Sequence, residues 1–229
     1  MSQNTTEGGT AMPGIFEHTA LAEEVYRQVS SSVPLDKVKF IAGNLIPDLA
    51  TADKKFSHYR MDASVKGLYV PDMERVEKEL FDINDPIRLG MYSHLYSDYS
   101  FIEEFLIPEF IWDAVRMKIG NPRNNMEWDA EPFFMQDGNY YRGFMETNHL
   151  LVRDKYISMK TIEELPEILP DTGIKMFDMR YEKTWKAEIE ESLRIKEMYT
   201  GNIFDYDHLK NWIQQTSAQL VQKINSRIG

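Results

Sequence analysis

The chain contains no cysteine. Disulfides and thiolate metal sites are therefore excluded, and any metal must be held by histidine nitrogen and carboxylate oxygen. Positive charge is also in short supply: 26 Lys and Arg stand against 37 Asp and Glu, giving a formal charge of −11 and a pI near 5.0. Such a surface has no excess of cations to pair with phosphates, so bulk nucleic acid and anionic membrane are not expected as general partners, although a local basic patch stays open. No apolar run reaches the roughly eighteen residues a membrane-spanning helix needs. Residues 1–11, MSQNTTEGGTA, lack the apolar centre of a secretory signal. They read as a flexible tail ahead of one domain over 12–229, and the expected location is the cytoplasm.

Alternation with period two is missing as well, which leaves helical periodicity as the organising signal. HTALAEEVYRQVSS spaces Leu21, Val25 and Val29 four apart, predicting a helix over 18–31. A second is expected over 35–45, broken by Gly43, Asn44 and Pro47, so that PDLATADKKFSH reads as a loop. A helix over 71–82 follows, and Asp85-Pro86 then supplies an N-cap and a first-turn proline for the next one. An apolar helix is expected from Pro108 to Ile119, an irregular connection over 120–138 that is either a lid or a packed loop, a helix over 139–156, a short turn or helix over 161–167, and helices over 176–198 and 205–228. The fold class is therefore all-α, with about eight or nine helices in one bundle.

The five histidines carry the chemistry. In GMYSHLYSDYSF, His94 and Asp98 are four apart and share one face of an aromatic helix. Buried together they need partners, and either a shared metal or a mutual hydrogen bond satisfies them. His18 sits beside Glu17 near a helix start, and His58 lies ten residues after Asp48 among Lys54, Lys55 and Arg60. Glu146 and His149 have a Glu-x-x-His spacing that can also chelate a metal, or simply face solvent. His208 reads as structural.

Taken in order, MPGIFEHTALAEEVY with His18, GNLIPDL with Asp48, the loop histidine His58, and His94-x-x-x-Asp98 resemble the zinc-dependent phospholipase C family, in particular its small non-secreted bacterial members. The related nucleases of single-stranded nucleic acid share that fold. The resemblance covers residues 12 to 107 and implies that Asp48, His58, His94 and Asp98 hold one metal, with Asp98 bridging to a second that His18 also touches. The secreted members also use an N-terminal tryptophan and a later His-x-x-x-Glu. Here no tryptophan precedes Trp112, and Glu146 and His149 are the only late substitutes, in the opposite order. One or two ions are therefore expected, zinc by resemblance, with manganese or iron(II) equally compatible with the ligand types.

The expected activity is hydrolysis of a phosphodiester by metal-activated water, on a small-molecule or lipid phosphoester, with Asp48 or Asp98 orienting the nucleophile or taking its proton. Lys54, Lys55 and Arg60 are the expected phosphate contacts. Two alternatives stay open: the same metal scaffold serving another reaction on a small metabolite, or a non-catalytic helical interaction protein with a degenerate site.

Overall fold

Asp85 caps the central helix of the molecule, its side chain accepting from the backbone N–H groups of Ile87 and Arg88, and Pro86 opens the first turn. This is the start that the sequence predicts. The structure is a computed structural model that describes residues 13–29, 33–49, 54–65, 67–135, 138–167, 169–174, 177, 186, 189 and 199–228. The expected tail over 1–11 and most of the expected helix over 176–198 lie outside the described residues.

Helices dominate. In chain order, α1 (Ile15–Val29), α2 (Lys37–Leu49) and a single turn α3 (Lys54–Ser57) lead to a hairpin of β1 (Arg60–Asp62) and β2 (Tyr69–Pro71). Then come α4 (Met73–Leu80) and α5 (Pro86–Ser100), which continues through a π-helical stretch, Phe101–Leu106, into α6 (Ile107–Glu109). Strands β3 (Ile111–Asp113), β4 (Lys118–Asn121) and β5 (Met126–Asp129) form an antiparallel sheet in that order, with Trp112 opposite Ile119 and Ile119 opposite Trp128. The chain returns to helix in α7 (Ala130–Phe134), α8 (Asn139–Arg153), α9 (Met159–Glu164) and α10 (Tyr206–Asn225). Among the described residues no helix is long and apolar enough to cross a membrane.

Three expectations are corrected. The fold is mainly helical rather than all-α, because residues 111–129, expected as helix and then irregular loop, pair as three strands. Strands of three or four residues are too short to display alternation, which is why period two was invisible. Pro47 does not end α2, which runs two residues beyond it. A proline in the last turn removes one N–H donor while its ring constrains only the preceding residues, and buried Leu45 and Ile46 hold the segment in helix. Finally α1 begins at Ile15, before His18, because the Glu17 carboxylate accepts from the Gly14 N–H at 3.1 Å and caps the helix one turn earlier.

The packing that matters most is α2 against α5. A Cβ on Gly90 would lie 2.1 Å from the Phe40 carbonyl oxygen, and one on Gly43 would lie 2.2 Å from that of Ile87. The two backbones are in direct contact there, closer than any side chain permits. Residues 44, 48, 94 and 98, one and two turns further along, are therefore brought together. An aromatic core of Phe101, Phe105, Phe144, Phe204 and Trp212, with ring centres 4.9–6.3 Å apart, fixes α5, α8 and α10 behind them.

Candidate metal centre

Four elements deliver five side chains to one point. His18 comes from α1, Asp48 from the last turn of α2, His58 from the residue after α3, and His94 and Asp98 from successive turns of α5. Apart from Asp48, their side chains are fully buried. Donor atoms of His18, Asp48 and His94, and of His58, His94 and Asp98, lie close enough to share an ion.

The carboxylates divide their oxygens between the imidazoles. Asp98 turns Oδ1 to His18 Nε2 at 3.3 Å, and Oδ2 to His94 Nε2 at 3.4 Å and His58 Nε2 at 3.8 Å. Asp48 repeats the division, with Oδ2 3.9 Å from His18 Nε2 and Oδ1 3.3 Å from His58 Nε2. Each carboxylate thus spans a side occupied by His18 and a side occupied by His58.

The outer nitrogens of the rings are anchored, and this fixes where their lone pairs point. His94 Nδ1 is 2.7 Å from the Asn44 carbonyl oxygen, which can only accept, so Nδ1 carries the proton and Nε2 faces inward bare. Ser97 Oγ donates to the His94 carbonyl and must therefore accept from His18 Nδ1–H at 2.7 Å, which leaves His18 Nε2 bare in the neutral ring. His58 Nδ1 is 2.9 Å from Ser57 Oγ. Asn44 clasps the frame: with its amide oriented to satisfy both neighbours, it donates to the His18 carbonyl at 3.1 Å and accepts from the His94 N–H at 3.2 Å.

What results is an inward-facing set of acceptors with too little to accept. His94 and His58 bring Nε2 to Nε2 at 3.4 Å, and His18 Nε2 and both Asp98 oxygens are buried without a hydrogen-bond partner. Burial, reinforced by the neighbouring His18, pushes the His94 pKa down to about 3, so that ring stays neutral. His18 is shifted the other way: burial opposes its charge, but Asp98 and Asp48 outweigh it. Asp98 and Asp48 are both held below the usual carboxylate range against the opposing pull of burial, Asp98 by the histidines and Asp48 by Lys54 and the histidines. The bare Nε2 atoms of His94 and neutral His18, facing two carboxylates in a dry interior, call for positive charge between them, and the donor set, with His58 beside it, suits a divalent cation.

Of the other expected site residues, Lys54 is at the centre's edge, its Nζ 2.9 Å from Asp48 Oδ1. Lys55 is exposed on the same turn and Arg60 opens β1. Glu146 and His149 are not among the clustered donors. Glu146 instead accepts from the Thr200 N–H at 3.0 Å and hydroxyl at 2.8 Å, which ties α8 to the segment before α10. A Glu-x-x-His spacing fixes a shared helix face but not what that face packs against. The expectation missed Asn44, Ser57 and Ser97, the groups that orient the imidazoles. Their only sequence signal is position, since Ser57 and Ser97 directly precede His58 and Asp98.

No family model matches the chain, and no curated protein or solved structure matches it either.

Proposed function

We propose that this protein is a metal-dependent hydrolase of phosphoesters, in which two divalent cations would be held by His18, Asp48, His58, His94 and Asp98. Their donors would come from His18, Asp48 and His94 on one side and from His58, His94 and Asp98 on the other. One observation carries the reading: the buried, partnerless His18 Nε2 and Asp98 oxygens at the focus of the cluster. A divalent cation bound there supplies a Lewis acid and lowers the pKa of coordinated water toward neutrality. Zinc, manganese and iron(II) all fit the nitrogen and oxygen donors.

The chain's own residues account for the remaining requirements. The Asn44 carbonyl and Ser97 hydroxyl hold two imidazoles with Nε2 inward, so the donors are set before any ion arrives and little ordering is required on binding. Asp98, fully enclosed, serves only as a ligand. Asp48 is partly exposed and is the ligand that an incoming water meets first. The enclosed walls exclude bulk water and strengthen every charge interaction within them.

The resemblance of residues 12 to 107 to the zinc-dependent phospholipase C family supports the same reaction class. Elemental analysis of untagged protein purified without chelator, alongside assays with p-nitrophenyl phosphate and bis(p-nitrophenyl) phosphate, tests it. Stoichiometric metal that disappears in a folded His94→Ala, Asp98→Ala variant, together with turnover of either ester, is the expected result. Metal-loaded protein that cleaves neither ester would sink the hydrolase reading.

A further inference from the structure

Of the five donors, only Asp48 reaches solvent. The side chains of His18, His58, His94 and Asp98 are fully buried, whereas Asp48 is 12% and Lys54 45% exposed. The group against this one accessible donor, among the described residues, is the Lys54 ammonium. The oxygen it touches, Oδ1, is the one that also faces His58 Nε2.

We propose that Lys54 is the anion gate of this centre, and that the anion it admits is the terminal phosphate of a small phosphomonoester. The proposal rests on the hydrolase reading above. A centre with one solvent-reaching donor suits a phosphate presented end-on, with its unesterified oxygens toward Asp48 and its single substituent away from it. A diester has two substituents to place beside a centre whose other four donors are fully enclosed. Charge points the same way. A monoester carries up to two negative charges, and two carboxylates already offset half the charge of a pair of divalent ions. Lys54, with Lys55 and Arg60 following on the same stretch, adds positive charge at the mouth of an otherwise acidic protein.

The ion pair also has two states built into it. Without metal, Lys54 neutralises Asp48. With a cation on Asp48 the ammonium is repelled by it, and an arriving phosphate gives Lys54 a new partner. In turnover, water adds to phosphorus, the ester P–O bond breaks, the alcohol departs with a proton and inorganic phosphate remains. Inorganic phosphate is therefore a faithful probe of the bound group.

The arrangement makes an opposite-sign prediction for Lys54→Met. In phosphate-free buffer the variant binds manganese or zinc more tightly than wild type, because a repelling cation is gone. The metal-loaded variant then binds inorganic phosphate about tenfold more weakly by calorimetry, the scale of one charge-assisted contact. Lys54→Arg restores phosphate binding. A lysine that merely holds the loop would change both affinities in one direction or neither, and that result overturns the gate. If Lys54→Met proves unstable, Lys54→Gln gives the same comparison. Substrate class is read separately from kcat/KM on the two nitrophenyl esters. Preference for the monoester, lost with Lys54, supports the proposal; equal or faster diester cleavage overturns it and leaves the hydrolase reading standing. Metal-loaded protein that turns over neither ester overturns both.

Discussion

The imidazoles of His18 and His94 lie stacked, 3.7 Å between centres and 17° between planes, although they come from helices far apart in sequence. Ser97 binds both residues, accepting from the His18 ring and donating to the His94 carbonyl. One hydroxyl thus sets the tautomer of one ligand and ties it to the backbone of the other. Ser97→Ala should weaken metal binding by about 10-fold to 100-fold, the usual effect of losing a partner behind a ligand, while leaving the helical fold intact. Chelator competition followed by circular dichroism checks this. Unchanged affinity would mean the tautomer is set elsewhere.

Gly90 is the second point on which the centre depends. Its Cα hydrogen occupies space that a Cβ would share with the Phe40 carbonyl oxygen at 2.1 Å and the Asn44 nitrogen at 2.7 Å. Neither atom is the end of a flexible side chain, so α2 and α5 must separate. Gly90→Ala should cost about 3 kcal/mol in denaturant unfolding, and it should also loosen metal binding, because Asn44 moves with α2. Gly67→Ala tests a different cost, since that glycine has φ +93° and open space around it. Its penalty should be about 1 kcal/mol, with no effect on metal.

How much of this was legible in the sequence depends on the range of the interaction concerned. Asp85-Pro86 announces α5 because capping is local chemistry, and Leu21, Val25 and Val29 announce α1 because periodicity is local too. His94 and Asp98 are visible as a pair for the same reason. That His18, Asp48 and His58 join them is not local, and it entered only through a resemblance in the order of residues. The Gly43 and Gly90 contact that assembles them reads in sequence merely as two helix-weakening glycines. Glu146 shows the converse, since a chelating spacing is local but its partner, Thr200, is 54 residues away. The β3–β5 sheet was missed because its strands are too short for a pattern and are held by aromatic packing, with Trp128 5.2 Å from Phe133 between ring centres.

Glu77 gives a pH-dependent prediction away from the centre. Its carboxylate accepts from Lys223 and, at 3.0 Å, from Arg227, which joins α4 to the end of α10. The Lys223 hydrogen bond holds the Glu77 pKa below its ordinary value. A carboxyl depressed on folding contributes stability above its unfolded pKa, about 4.5, and loses it as pH falls through the lower folded value. Because the pair is partly exposed, the contribution should stay under about 1 kcal/mol. Urea unfolding of wild type and Glu77→Gln should differ by that amount at pH 6 and converge near pH 3. A gap that persists in acid would assign the loss to packing.

Glu109 presents the buried counterpart. Its side chain is 6% exposed, pairs with Arg123 and accepts from His208 Nδ1 at 3.0 Å, so it clamps the β3–β5 region to the start of α10. Arg123→Met strands that carboxylate with the exposed His208 imidazole as its remaining partner among the described residues. Removing one partner of a buried pair costs several kcal/mol in full enclosure, and Arg123's partial exposure reduces the figure to about 2 kcal/mol. Glu109→Gln in the Arg123→Met background should recover part of the loss, because the stranded charge is gone; a further loss instead would show that the pair matters through shape.

Removing the metal should be felt throughout the molecule, because the five donors belong to α1, α2, α5 and the segment after α3. Bound ions tie these elements together only in the folded state, so free metal at about a thousand times its dissociation constant should add about 4 kcal/mol to stability. For a chain of this size that corresponds to a rise in Tm of roughly 10 °C. Asp98→Asn should abolish this shift, since it takes one negative charge from the pair that faces all three imidazoles. In metal-free buffer the same variant should melt close to wild type, because asparagine replaces one partnerless buried carboxylate oxygen while giving up the charge that His18 faces. Thermal melts of both proteins, with manganese or zinc and with chelator, decide the matter. A wild-type curve indifferent to metal would mean that the cluster is satisfied by protons alone, and an Asp98→Asn variant that unfolds in chelator would make Asp98 a structural carboxylate first.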